Sequence, residues 1–345
     1  LMKFTVLKSS LVALAIICAQ PSFASQSALI QQKPQSSEQE VYSAEQRIAQ
    51  LSYQAQDTSL ESEVRVQALQ QLARYPSQNA LVAVARATKD DDDLVREAAA
   101  VAAQPYSIEY RWRLLLPLID DQIKSVRMAV AANLVRDYST LDTDQQKRLT
   151  TSVTELIDYL DDKKDTQSRL LLADVYRWFG KWQQADVIYQ ALLANHPDNV
   201  QVWLSLADNY RAQGHDKAAL ETLNGAIERH QKNAALHYSK ALTLVRLGQS
   251  EQAADEMKQA AELAQDNSYY WYLNGVLQEP VDVGHATRSF EKAYLISGAP
   301  EQLYALCDIY VRYNHDKSQQ CLAELETIAP AYVIEQLNRQ SQHVG

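Results

Sequence analysis

The chain holds 345 residues, 46% of them apolar, which suffices for a sizeable core and excludes a wholly disordered polypeptide. Its formal net charge of −10, with no basic cluster to offset it, works against nucleic acid or anionic lipid as a partner. Eight glycines and nine prolines leave few breaks, and abundant Ala, Leu, Gln and Glu favour helix nearly throughout, so the fold class is all-α.

At the N-terminus Lys3 and Lys8 precede an apolar run from Leu11 to Cys18, followed by Pro21, Ser22 and Ala24. That order predicts a secretory signal peptide over residues 1–24, cleaved after Ala24, and hence a periplasmic or secreted protein. The uncharged run falls short of the roughly 20 residues a membrane span needs. A lipoprotein cysteine would follow a small residue, whereas Ile17 precedes Cys18. Residues 25–43 are rich in Gln and Ser and read as a flexible polar leader. No later segment is apolar enough to span a bilayer.

Val64-Arg65, Val95-Arg96 and Val126-Arg127 open apolar stretches at one constant interval. Alignment on them brings Leu72, Ala103 and Leu134 into register, and pairs Leu81 with Trp112, Val84 with Leu115, and Ala87 with Leu118. Each unit thus holds two helical stretches, and since a short hairpin cannot bury both its faces alone, such units stack into a solenoid. The phrases "DDDDLVREAAA" and "DDQIKSVRMAVAA" resemble the HEAT family, over residues 44–140. The resemblance implies that Arg65, Arg96 and Arg127 form a structural ladder with acids of the inter-helix turns, Asp90 and Asp121 among them. The run Asp90 to Asp93 lacks the spaced oxygens and glycine of a calcium loop and reads as a solvated turn and helix start. Residues 141–165 read as a connecting helix.

From Thr166 the period is longer: Ala173, Ala207, Ala241 and Gly275 share a column, as do Tyr176, Tyr210 and Leu244; Gly180, Gly214 and Gly248; and Ala185, Ala219 and Ala253. Small residues let two antiparallel helices approach, and glycine supplies the turn between them. With "LLLADVYRWFGKWQQADVIYQALLANHP" and "VWLSLADNYRAQGHDKAALETLNGAIERH", residues 166–330 resemble tetratricopeptide repeats, in about five units. The last two depart from the pattern, with Glu279-Pro280 at one hairpin turn and Asn314 in place of glycine at the other. Residues 331–345, beginning "AYVIEQLNRQ", read as a terminal cap and tail. The expected architecture is two joined α-solenoids.

Cys307 occupies the small-residue column of one helix of the fifth unit and Cys321 lies near that of the other. These columns face each other across the hairpin, so an oxidising compartment predicts a Cys307–Cys321 disulfide as a structural staple. Neither cysteine sits in a Cys-x-x-Cys motif. The seven histidines lack zinc spacing, and no nucleophile elbow, phosphate loop or haem-attachment motif occurs. His237 stands where this repeat often carries an aromatic. The sequence therefore predicts no enzyme, cofactor or metal.

In the tetratricopeptide family the first helices of the units line a concave groove that receives polypeptide segments. The matching positions are Gln167, Asp174, Arg177, Trp178, Gln201, Asp208, Arg211, Tyr238, Arg246, Tyr269, Tyr272, Tyr304 and Arg312. Tyrosine and arginine are frequent interface anchors; Tyr176, Tyr189 and Tyr210 read instead as packing between units. Leu170 and Leu204 stand where a carboxylate clamp would want basic residues, which argues against chaperone-tail recognition. The order of HEAT-like units, connecting helix and tetratricopeptide units is similar to the helical C-terminal portion of periplasmic multihaem cytochrome proteins. That resemblance implies a scaffold or adaptor holding a protein partner, linked to respiratory complexes. An assembly factor for envelope or secreted complexes and a glycan-binding protein remain the alternatives.

Overall fold

A computed structural model of the chain describes residues 43–341; the expected signal peptide, nearly all of the polar leader and the end of the tail lie outside them. Helix starts follow from side chains that accept hydrogen bonds from the otherwise unpaired N–H groups of a first turn. Ser77 accepts from Ala80 N (3.2 Å), Asp92 from Leu94 N (2.8 Å) and Asp165 from Ser168 N (2.9 Å), while Asp142 and Gln145 cap each other reciprocally. Further along, the caps recur once per unit as Asn199, Asn233 and Asn267. Gly180, Gly214 and Gly248 turn the hairpins at φ of 76°, 74° and 73°, where a Cβ would be strained. Asn314 takes the same left-handed region at 51°, so the irregular fifth turn keeps the geometry with the side chain that best tolerates it.

The described residues form eighteen α-helices and no strand. In the N-terminal part these are α1 (Ala44–Gln56), α2 (Ser62–Leu72), α3 (Gln78–Ala87), α4 (Asp93–Ala102), α5 (Ile108–Leu115), α6 (Lys124–Leu134) and α7 (Thr143–Asp161), with 3-10 segments at Leu116–Leu118 and Val135–Thr140. Helices α2, α4 and α6 stack in one row that α7 continues. An arginine ladder ties the row together: Arg65 pairs with Asp90, Arg96 with Asp121 (2.8 Å) and Arg127 with Glu155 (2.7 Å). Arg96 also donates to the carbonyls of Asp90 (2.9 Å) and Asp91 (3.0 Å). The third acid sits on α7, which makes this helix the last layer of the stack as well as a connector. One apolar core accordingly runs from Leu51 through Leu149 and Leu156 to Leu206, so the change of period near residues 141–165 is not a break in the core.

Beyond it come five hairpins: α8 (Thr166–Trp178) with α9 (Trp182–Asn195), α10 (Val200–Ala212) with α11 (Asp216–Arg229), α12 (Ala234–Arg246) with α13 (Ser250–Leu263), α14 (Ser268–Gln278) with α15 (Val283–Ser297), and α16 (Pro300–Arg312) with α17 (Ser318–Glu326). The second helix of each packs on the first helix of the next. In the fourth hairpin the small-residue column needs glycine itself, because a Cβ on Gly275 would meet the Phe290 ring at 2.8 Å. Cys307 and Cys321 form a disulfide joining α16 to α17, with Cα atoms 5.4 Å apart. The final helix, α18 (Ala331–Ser341), buries Leu337 against the C-terminal core. No helix among the described residues is long and apolar enough to cross a membrane.

Candidate partner-binding face

The first helices α8, α10, α12, α14 and α16 carry the thirteen predicted groove residues. Gln167 and Gln201 are both exposed, and Gln201 Nε2 lies 3.5 Å from Ser205 Oγ. The arginines all make ion pairs within the protein. Asp174 accepts from the Tyr189 hydroxyl (2.6 Å) and from Arg177 (3.1 Å), and Arg177 Nε donates back to the Tyr189 oxygen (3.3 Å). Burial disfavours the Arg177 charge, but Asp208, Tyr189 and Asp174 outweigh it and hold the guanidinium above its ordinary pKa. Burial pushes the Tyr189 hydroxyl far up, with Asp174 adding to the effect.

On α10, Arg211 pairs with Asp208 and reaches across to α12, donating to Ser239 O (2.8 Å), Ser239 Oγ (3.0 Å) and Thr243 Oγ1 (2.8 Å). Arg246 donates to Asp216 at the start of α11 (2.7 Å). Arg312 holds Asp308 (2.7 Å) and, one unit back, Glu279. Burial keeps the Asp308 carboxyl above the usual range although Arg312 opposes it. These arginines and their acids are therefore staples within and between units. Trp178 is likewise engaged inside the protein, its ring approached by the guanidiniums of Arg136 (5.0 Å) and Arg177 (5.2 Å). Next to it Phe179 meets Tyr138 edge-on at 4.8 Å, so this part of the first hairpin packs on the 3-10 segment that precedes α7.

The tyrosines gather at the other end. Tyr238 stacks on Tyr270 (4.9 Å) and meets Tyr269 edge-on (6.3 Å), while Tyr272 meets Phe290 edge-on (5.7 Å). Tyr304 is half-buried on the C-terminal core. Burial raises the hydroxyl pKa of Tyr270, Tyr272 and Tyr304. Helix α14 carries no charged residue along its length, "SYYWYLNGVLQ". Sequence reasoning missed Tyr270, which the "YYWY" run could have signalled, and missed Asp216 and Glu279, which lie 30 and 33 residues from the arginines they bind. Among the described residues no group of three His, Cys, Asp or Glu is arranged to hold a metal ion.

Residues 179–242 match a family model described as tetratricopeptide repeat. Among solved structures, the MamA protein is 20% identical over 46% of this chain and 89% of its own (TM-score 0.40). YrrB, described as a TPR protein with an unusual peptide-binding site, is 17% identical over 54% of this chain and 97% of its own (TM-score 0.41). TTC0263, a thermophilic TPR protein of Thermus thermophilus, is 20% identical over 54% of this chain and 97% of its own (TM-score 0.36). No curated protein matches. With its helical hairpins and glycine turns, the chain is an all-α helical repeat protein that matches the tetratricopeptide repeat over residues 179–242.

Proposed function

We propose that the protein is a non-enzymatic, exported scaffold that holds a polypeptide partner against the first-helix face of its tetratricopeptide units. The observation that carries this reading is the aromatic cluster of Tyr238, Tyr269, Tyr270 and Tyr272 across α12 and α14, continued by Tyr304 on α16. Tyrosine supplies a large contact area at low entropic cost and leads among interface anchors. Export to a periplasmic or secreted location is supported by the N-terminal order of charge, apolar run and small residues, and by a disulfide in keeping with an oxidising compartment. The HEAT-like reading of residues 44–140 is supported by the arginine ladder. The link to respiratory multihaem complexes rests on the order of the repeats alone.

The test is an affinity pulldown from envelope extract with the protein lacking residues 1–24, beside a Tyr238→Ala, Tyr269→Ala, Tyr272→Ala variant whose helicity is checked by circular dichroism. A partner held by the parent protein and lost by the folded variant is the expected result. Equal retention would move the function to the N-terminal stack, and a client bound only when denatured would make the protein an assembly factor.

A further inference from the structure

Resting on the reading of this face as a partner-binding surface, we infer that α12, α14 and α16 take a polypeptide segment anchored by uncharged, apolar or aromatic side chains. The charge inventory of the three helices leads there. Lys240 and His237 both bind Glu256, Arg246 binds Asp216, and Arg312 is shared by Asp308 and Glu279. Among the described residues Glu301, in the first turn of α16, is the one charge on these helices without an oppositely charged partner. A partner carboxylate, phosphate or basic side chain that sought its counter-charge among the others would have to break an ion pair already made.

The partly buried pairs are costlier to break than the half-exposed Arg246–Asp216 pair. Arg312 sits between two carboxylates, Asp308 and Glu279, so a competing anion would have to displace an acid already in place. Arg211 is fixed by its own helix and by three acceptors on α12, so it too is withdrawn from a partner's use. What remains for recognition is α14, uncharged throughout, with the half-buried rings of Tyr269, Tyr270 and Tyr272, flanked by Tyr238 and Tyr304. Such a surface complements a neutral segment, contributing through area removed from water, and offers no charge contrast to steer a charged one.

The test is selection from a displayed random-peptide library on the protein lacking residues 1–24, followed by fluorescence anisotropy of the selected, labelled peptides. We expect anchors drawn from apolar and aromatic residues, and affinity that changes less than about twofold between about 50 and 500 mM NaCl, because screening acts on charge pairs and not on apolar burial. Tyr304→Ala should weaken binding at least about tenfold, as removal of an aromatic anchor does, in protein whose helicity at the assay temperature matches the parent, with Tyr304→Phe close to the parent in both binding and melting. Selected peptides sharing an acidic or basic anchor, tenfold weakening by salt, or indifference to Tyr304→Ala would each overturn the inference while leaving the scaffold reading intact. If no peptide of any kind binds, the scaffold reading fails and this inference with it.

Discussion

His237 Nδ1 lies 2.6 Å from a carboxylate oxygen of Glu256, and the pair favours the protonated ring. The other ring nitrogen, Nε2, lies 2.9 Å from the Gln231 carbonyl oxygen, which can only accept. With an acceptor at each ring nitrogen, the surroundings favour the imidazolium form of His237. The Nε2 bond belongs to a column: in the preceding unit Trp203 Nε1 donates to the Pro197 carbonyl (2.8 Å), and in the following one Trp271 Nε1 donates to the Gln265 carbonyl (3.1 Å). Histidine thus replaces tryptophan as the donor and adds a charge that Glu256 answers.

The hydrogen bond to Glu256 holds the His237 pKa above its ordinary 6.5 although burial opposes it. Burial favours a neutral Glu256, but His237 and Lys240 prevail and draw its pKa below the usual value. Since the folded histidine binds its proton more tightly than the unfolded one, its contribution is whole below the unfolded pKa and is lost as pH rises through the folded one. The Glu256 contribution is lost on the acid side, as pH falls through its lowered folded value. We expect urea denaturation to show stability falling as pH rises above about 6.5, by about 1.5–3 kcal/mol at most, the worth of one hydrogen bond to a charged group. His237→Trp, which keeps the carbonyl bond, should remove most of that slope; a slope unchanged in the variant would place its origin elsewhere.

The arginine ladder makes a second expectation. Asp121 accepts from Arg96 at 2.8 Å in a nearly buried pair and also from Ile123 N (2.9 Å). Asp121→Ala should cost about 3 kcal/mol, because it strands the Arg96 charge. The exposed Arg148–Asp120 pair at 3.3 Å is the internal control, and Arg148→Ala should change stability by no more than about 0.5 kcal/mol. Burial raises the Asp121 pKa, but Arg96, Ile123 N–H and Arg127 lower it further, so this stabilisation is lost as pH falls through the lowered folded value. Chemical denaturation of the two variants at neutral pH decides the comparison.

Two glycines should respond to alanine in opposite directions. Gly225 lies inside α11 with nothing within 4 Å of a built Cβ, so Gly225→Ala should stabilise by about 0.5–1 kcal/mol through helix propensity alone. Gly275→Ala should destabilise by about 1–3 kcal/mol, because the methyl would press on Phe290 from 2.8 Å. Phe290→Leu combined with Gly275→Ala should recover part of that loss in thermal melts. Additive losses in the double variant would show that the contact is not the cause.

Repetition made the architecture legible, because a column that recurs at a fixed period reports the same contact several times. The caps Asn199, Asn233 and Asn267 and the turns at Gly180, Gly214 and Gly248 are contacts of that kind. Where the period changes, register is lost: the third rung of the ladder, Arg127 to Glu155, and the approach of Arg136 to Trp178 reach past the end of the first repeat type. The candidate face was legible as a set of positions, but not in its charge state. A sequence places Arg177, Arg211 and Arg312 on the first helices, yet only the fold brings Tyr189, Ser239 and Glu279 to them.

The disulfide yields the last expectation. Cys307 is fully buried on α16 and Cys321 nearly so on α17, and the bridge closes a loop that includes the left-handed turn at Asn314. This hairpin ends the repeat array, where only α18 covers it among the described residues, so it lacks the further neighbour that stabilises interior units. Closing a loop of this length restricts the unfolded chain by roughly 3 kcal/mol. A Cys307→Ala, Cys321→Ala variant should therefore open preferentially at its C-terminal end. In hydrogen exchange the amides of α16 to α18 should lose protection, while those of α2 to α7 remain as in the parent. Thiol titration of secreted protein gives the direct check: no reactive thiol before reduction and two after it, in the protein lacking residues 1–24. Two thiols before reduction would remove the staple from the account.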